Sequence, residues 1–113
     1  MTETLRIEPA KGHYVLRAGG AVIGETDRAV WLHEQGHDAQ LYLPREDLAM
    51  DFLDPSPTAS HCPRKGQASY YSVATKSTTI KDVGWSYESP LPGAGAIAGM
   101  LSFYDGKVVV ERV

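Results

Sequence analysis

Three short stretches carry residues whose types and spacing suit chemistry. His61-Cys62-Pro63-Arg64-Lys65-Gly66 sets a thiol beside an imidazole and two cations. Neighbouring positive charge lowers a thiol pKa and favours the nucleophilic thiolate. Cys62 is therefore a candidate nucleophile or redox centre, assisted by His61 or by a carboxylate from Glu46 or Asp47. Cysteine is equally among the residues most often buried and inert, and no adjacent base is identified by the sequence. Leu43-Pro44-Arg45-Glu46-Asp47 places an arginine beside two carboxylates. The guanidinium could grip an anion through two hydrogen bonds while Glu46 acts as base, or the charges could cap their own turn.

The third stretch, His33-Glu34-Gln35-Gly36-His37, is an HExxH pattern. On a helix it sets two imidazoles one turn apart for zinc, with the glutamate as general base of a hydrolase. Ala29-Val30-Trp31-Leu32, just before it, lacks helical periodicity and reads as a buried strand. Gln35-Gly36 then reads as a turn into a second strand, Ala39 to Leu43. The two histidines would stand on opposite arms of that turn, so zinc hydrolysis is the lesser alternative and no metal ligand is assigned. Gly93-Ala94-Gly95-Ala96-Ile97-Ala98-Gly99 is not a dinucleotide loop, because a phosphate cradle needs a strand before the glycines and a helix after them. Tyr70, Tyr71, Trp85, Tyr87, Phe103 and Tyr104 are core residues by default, although an apolar body with a polar tip also suits a pocket wall.

The elements that must position these residues are short strands. Eleven Gly and seven Pro are spread along 113 residues, with brief apolar runs between them, which indicates a mainly β chain. Asp105-Gly106 suits a type I′ turn and predicts a hairpin of Gly99 to Tyr104 with Lys107 to Val113, pairing Phe103 with Val108 and Leu101 with Val110. Gly19-Gly20 predicts another, with Leu16 opposite Ile23 and Tyr14 opposite Glu25. Ser69 to Ala74 and Thr78 to Tyr87 read as strands, the second carrying Val83, Trp85 and Tyr87 on one face. Pro44 to Lys65 and Ser89 to Gly95 read as irregular, with at most a turn or two of helix near Arg45 to Met50.

Composition narrows the function classes. The chain is 42% hydrophobic and 22% charged, which fits one domain over residues 1–113 with one core. Eleven basic against fourteen acidic residues leave a net charge of -3, so the basic footprint of a nucleic-acid module is missing. No run has the roughly 18 apolar residues of a bilayer span, and Met1 to Lys11 lacks a signal-like apolar stretch, so no membrane partner and a cytoplasmic location are expected. The single cysteine excludes an intramolecular disulfide and a zinc site built on cysteine pairs.

Taken in order, Leu41-Tyr42-Leu43-Pro44-Arg45-Glu46-Asp47, His61 through Tyr70, Trp85-Ser86-Tyr87, and Ile97-Ala98-Gly99 with Phe103-Tyr104 resemble the bacterial family known as domain of unknown function 427. The resemblance runs from Arg6 to Glu111. Arg64 stands where the family usually shows a tyrosine, and Tyr71 where it commonly shows a tryptophan. The resemblance implies a β-tent, two antiparallel meander sheets meeting at an angle, similar to type B methionine sulfoxide reductases. Many tents are tied by zinc on paired cysteines, which this chain lacks. The resemblance also implies that Glu34-x-Gly36 is a turn between strands, and it implies no activity. Nucleotidyl transfer draws no support, since neither a phosphate loop nor an Asp-x-Asp metal pair is present.

The resulting expectation is a β-tent binding module without metal or cofactor, its cleft gathering Arg45, Glu46, His61, Lys65, Tyr70 and Trp85 around a small polar or anionic ligand. Arg45→Ala and Lys65→Ala are expected to weaken binding and to spare the melting temperature. The alternative is a cysteine-dependent enzyme working through Cys62 and Glu46.

Overall fold

The computed structural model describes residues 5–106 and 108–113. Ten strands make up most of it: β1 (Leu5–Pro9), β2 (Tyr14–Ala18), β3 (Ala21–Thr26), β4 (Val30–Glu34), β5 (Gln40–Tyr42), β6 (Leu53–Cys62), β7 (Gly66–Ala74), β8 (Thr79–Ser86), β9 (Leu101–Phe103) and β10 (Val108–Arg112). The helical content is short 3-10 turns at Arg45–Asp47, Met50–Phe52 and Pro92–Ile97. The mainly β class follows from the sequence as expected. No helix among the described residues is long and apolar enough to cross a membrane.

The strands form antiparallel ladders in the orders β1-β4-β5, β10-β2-β3 and β6-β7-β8-β9. Three ladders thus stand where two meanders were expected, and the last of them is a simple meander. Two ladders are joined edge to edge, because Leu43 and Leu101 exchange backbone hydrogen bonds of 2.8 and 2.9 Å. That junction brings the start of the Arg45 turn against β9. Leu16, Ile23, Leu43, Val73, Leu101, Phe103 and Val108 belong to the largest buried apolar cluster. A second cluster gathers Leu32, Tyr42, Ala68, Tyr87, Ala94 and Ile97, with Cys62, Tyr70 and Trp85 packed on it.

The Gly19-Gly20 hairpin forms, both glycines taking the positive φ that its turn requires (56° and 80°). Ala18 faces Ala21 and Arg17 faces Val22, but Leu16 then faces Gly24 and Tyr14 faces Thr26. The shift is a bulge at Ile23, an extra residue that lets both Leu16 and Ile23 reach full burial. The Asp105-Gly106 hairpin is a correction. β9 pairs with β8 and β10 with β2, so Val108 faces Ala18 and Val110 faces Leu16. Lys107, in the expected second arm, lies outside the described residues, as do residues 1–4.

Two further expectations change. The stretch read as irregular between Pro44 and Lys65 contains β6, ten residues long despite Pro55 and Pro57. β6 is an edge strand, where a missing N–H need not break a ladder, and its register slips between Pro55 and Ala59. Val83 packs in the first cluster, whereas Trp85 and Tyr87 belong with the second. Asp82, just before Val83, has a φ of 51° where the β7–β8 register shifts.

Candidate functional site

Strand alternation in β6, β7 and β8 decides which of the singled-out residues meet. Cys62 pairs with Gly66, Ser60 with Ala68, and Tyr70 with Trp85, so these residues share one face. His61 pairs with Gln67, Ala59 with Ser69, and Tyr71 with Gly84, and these share the other. The first may be termed the aromatic face and the second the Arg45 face.

On the aromatic face, the Trp85 indole N–H donates to the Tyr42 hydroxyl at 3.2 Å. The Trp85 ring also lies 4.6 Å from that of Tyr104. The hydroxyls of Tyr70 and Ser60 are hydrogen-bonded at 3.0 Å. Burial pushes the Tyr42 phenol up to about 12, and it raises Tyr87 as well. Cys62 is half-buried against this cluster.

Beside these rings lies a group of charges around a nearly buried carboxylate. Glu34 ends β4 with its side chain only 8% exposed, a position that an ionised carboxylate holds only when paired. Lys65 supplies one partner, its Nζ 2.8 Å from Glu34 Oε1, and Arg64 Nη1 donates to Oε2. The Lys65 ammonium also stands 5.6 Å from the centre of the Tyr87 ring, within cation–π reach. His37 Nε2 is 3.9 Å from Glu34 Oε2. A cavity of about 240 Å³ opens here, lined by Leu32, Glu34, His37, Asp38, Gln40 and Lys65. Lys65 and Arg64 thus share one carboxylate, and Asp38 adds a second acidic residue to the cavity wall.

On the Arg45 face, the guanidinium is committed within the protein. Its Nε donates to the Gly99 carbonyl at 3.0 Å, and one Nη2 donates to Glu88 at 2.6 Å. The same group lies 5.4 Å from the centre of the Tyr71 ring, and the Tyr71 hydroxyl donates to the same Glu88 oxygen. These donors, Tyr71 first, hold the Glu88 carboxyl below its ordinary range.

Residues 6–113 match the model of a family described as a domain of unknown function, DUF427. The chain belongs to this family. No curated protein matches it.

Within this DUF427 chain the singled-out residues therefore divide. Cys62, Tyr70 and Trp85 share the aromatic face, and Lys65 joins them through Tyr87 and Glu34. Arg45 and His61 belong to the opposite face, and Glu46 is exposed on the 3-10 turn. His61 and Cys62 are successive strand residues pointing to opposite sides, so this imidazole is not the base of that thiol. Asp47, the other carboxylate considered for that role, accepts from Thr26 at 2.7 Å and from Arg28 at 2.9 Å. The same alternation dissolves the HExxH. His33 lies on β4 and bonds Glu8 at 2.7 Å, Glu34 points the other way, and His37 follows the turn. Among the described residues no three His, Cys, Asp or Glu side chains converge as metal ligands.

Sequence reasoning missed Glu34 as the buried acceptor of two cations, Gln40 as a cavity wall, and the Tyr71–Glu88 partnership with Arg45. A signal for the first existed, because Arg64-Lys65 is a pair of adjacent cations that needs a carboxylate if buried. Nothing local marks Glu88.

Proposed function

We propose that this DUF427 chain is a binding module whose ligand, small and polar or anionic, enters the cavity formed by Glu34, His37, Gln40 and Lys65. One observation carries the reading: a nearly buried carboxylate held by Lys65 and Arg64 borders a cavity of about 240 Å³ whose other polar lining is His37, Asp38 and Gln40. An acidic group on the ligand would meet Lys65 and His37, while the Gln40 amide and Asp38 would address its neutral or donor part. Cavities of this kind fix orientation through a few placed polar groups. A cavity this small suits a metabolite-sized molecule.

The test is calorimetric titration with inorganic phosphate and with succinate as probes. Saturable binding is expected, weakened at least about fivefold in His37→Gln, since one charge-assisted hydrogen bond contributes on the order of 1.5 kcal/mol. His37 has a side chain 62% exposed, so its replacement separates binding from folding. Absence of saturable heat with both probes, or binding indifferent to His37, rejects the reading.

The cysteine-dependent alternative keeps one supporting observation, that Cys62 is half-buried and not sealed. Iodoacetamide labelling against pH decides it. A rate that follows an ordinary thiol pKa of about 8.5 removes the enzyme.

A further inference from the structure

We propose a second ligand site on the Arg45 face, for a neutral polyhydroxylated molecule about the size of one sugar ring. A cavity of about 250 Å³ is lined there by Gln67, Ser69, Glu88 and Ser89. It is separate from the cavity at Glu34, with which it shares no lining residue. Each of its four lining side chains can hydrogen-bond, and none is apolar.

Two features distinguish this group from ordinary surface polarity. First, Glu88 is held in place: Tyr71 and Arg45 both donate to its Oε2, at 2.5 and 2.6 Å. Among the described residues its Oε1 takes no hydrogen bond, and neither do the side chains of Gln67, Ser69 and Ser89. An anchored carboxylate oxygen, two hydroxyls and an amide thus border one hollow with their bonding capacity unspent. Second, these groups come from two backbone segments that β pairing fixes side by side, since Ser69 faces Ser86 in the β7–β8 ladder and Leu91 N–H donates to the Lys65 carbonyl at 2.9 Å. The site is therefore built on the sheet.

Charge selects the ligand class. The Glu88 charge is balanced by the Arg45 guanidinium, so the pair offers little net attraction to an anion or to an ammonium group. A neutral donor-rich molecule remains: adjacent hydroxyls can donate to Glu88 Oε1 and exchange hydrogen bonds with Ser69, Ser89 and Gln67. For so small a ligand a Kd on the order of millimolar is expected.

The experiment is a two-dimensional amide NMR titration of the full chain with myo-inositol, and separately with glucose, methylammonium and phosphate. Saturable shifts are expected with at least one polyol at residues 66–70 and 86–90. Ser89→Ala should weaken that binding about fivefold, the equivalent of one lost hydrogen bond. Ser89 is exposed and makes no side-chain bond, so this variant should keep the wild-type spectrum elsewhere. Ser69→Ala should act likewise and provides an independent check from the other segment. The proposal is overturned if neither polyol gives saturable shifts, if Ser89→Ala leaves them unchanged, or if methylammonium or phosphate binds these residues in preference. Phosphate shifts confined to His37, Gln40 and Lys65 would report only on the other cavity.

Discussion

Glu34 and Glu88 both sit between a cation and a second donor, yet the side chain of Glu34 is 8% exposed and that of Glu88 is 43% exposed. Burial, more than partner type, sets what each group does. Around Glu34 the carboxylate and the Lys65 ammonium are largely withdrawn from water, so each depends on the other for stability. Around Glu88 water reaches both the carboxylate and the Arg45 guanidinium, so their ion pair orients a side chain without contributing much stability. The faces also differ in rigidity of purpose: Lys65 is anchored at 13% exposure, whereas Arg45 reaches across 34% exposed to tie a 3-10 turn to the segment beyond β8.

Breaking the buried group should give the largest effect. Lys65→Met removes one of the two cations bonded to Glu34 and should lower stability in urea by about 1.5 to 3 kcal/mol, the usual loss for a charged hydrogen bond at a nearly buried group. The expectation that Lys65→Ala would spare the melting temperature is therefore reversed by its burial. Adding Glu34→Leu to Lys65→Met should restore part of the loss, because the nearly buried carboxylate that lost a partner is gone. A single-variant loss below about 1 kcal/mol would put the two regions on the same footing and remove the contrast.

Alkaline titration sharpens it next. The Tyr42 phenol, near 10 in an unfolded chain, is pushed up to about 12 by burial on the aromatic face. The folded state therefore favours the protonated form. Its contribution is fully present below pH 10 and is lost as pH rises from 10 through 12, by about 2 kcal/mol. Tyr87 is raised by the same cause and adds to the slope. On the other face burial also raises Tyr71, but Arg45 pulls in the opposite direction. Urea stability measured from pH 9 to 12, with tyrosinate absorbance followed in parallel, should show a decline that Tyr42→Phe flattens and Tyr71→Phe changes less. Equal flattening by the two variants would mean that the faces are equally desolvated.

How far the sequence foretold these faces depended on whether a feature was local. The Gly19-Gly20 turn was legible because its chemistry lies in the turn itself, and Ser69 to Ala74 was legible as a strand within β7. The Asp105-Gly106 turn misled because a two-residue loop only permits pairing. Val108–Arg112 instead aligns with β2, where Val108 is buried beside Ala18, and long-range burial overrode the local signal. The candidate residues were half legible for the same reason. Arg64-Lys65 and Trp85 were visible as types, but their partners Glu34 and Tyr42 are distant in the chain, and nothing local says that β4 and β5 will meet the start of β7. The break at Asp82, a non-glycine residue with positive φ, left no compositional mark at all.

Gly24→Ala tests how the Arg45 face is positioned. A Cβ there would stand 2.5 Å from Leu48 Cδ2 and 2.8 Å from the Asp47 carbonyl oxygen. The strand must approach this closely for Gly24 to bridge to Leu48, directly after the Arg45–Asp47 turn. Overpacking of this kind lowers stability by about 1 to 3 kcal/mol. Thermal unfolding should register it, and amide shifts should move at Gly99 and Glu88 but not at Glu34. Shifts that spread equally to both regions would show that the turn is not an independent support for Arg45.

The smallest effect belongs to Glu88 itself and is readable through pH. Its folded pKa lies below the ordinary 4.5, chiefly because Tyr71 and Arg45 donate to the charged form. The folded state thus binds the proton less well than the unfolded chain. The pair's contribution is complete above about pH 4.5 and disappears as pH falls through the folded value. Exposure limits it to less than about 1 kcal/mol. In Glu88→Gln this dependence is absent, so the difference in melting temperature between wild type and variant should be constant from pH 7 to 5 and shrink between 4.5 and 3. A difference that persists at pH 3 would come from shape or hydrogen bonding rather than charge. One as large as that of Lys65→Met would mean that water does not screen the Arg45 face, and the argument from burial would then fail at its more exposed end.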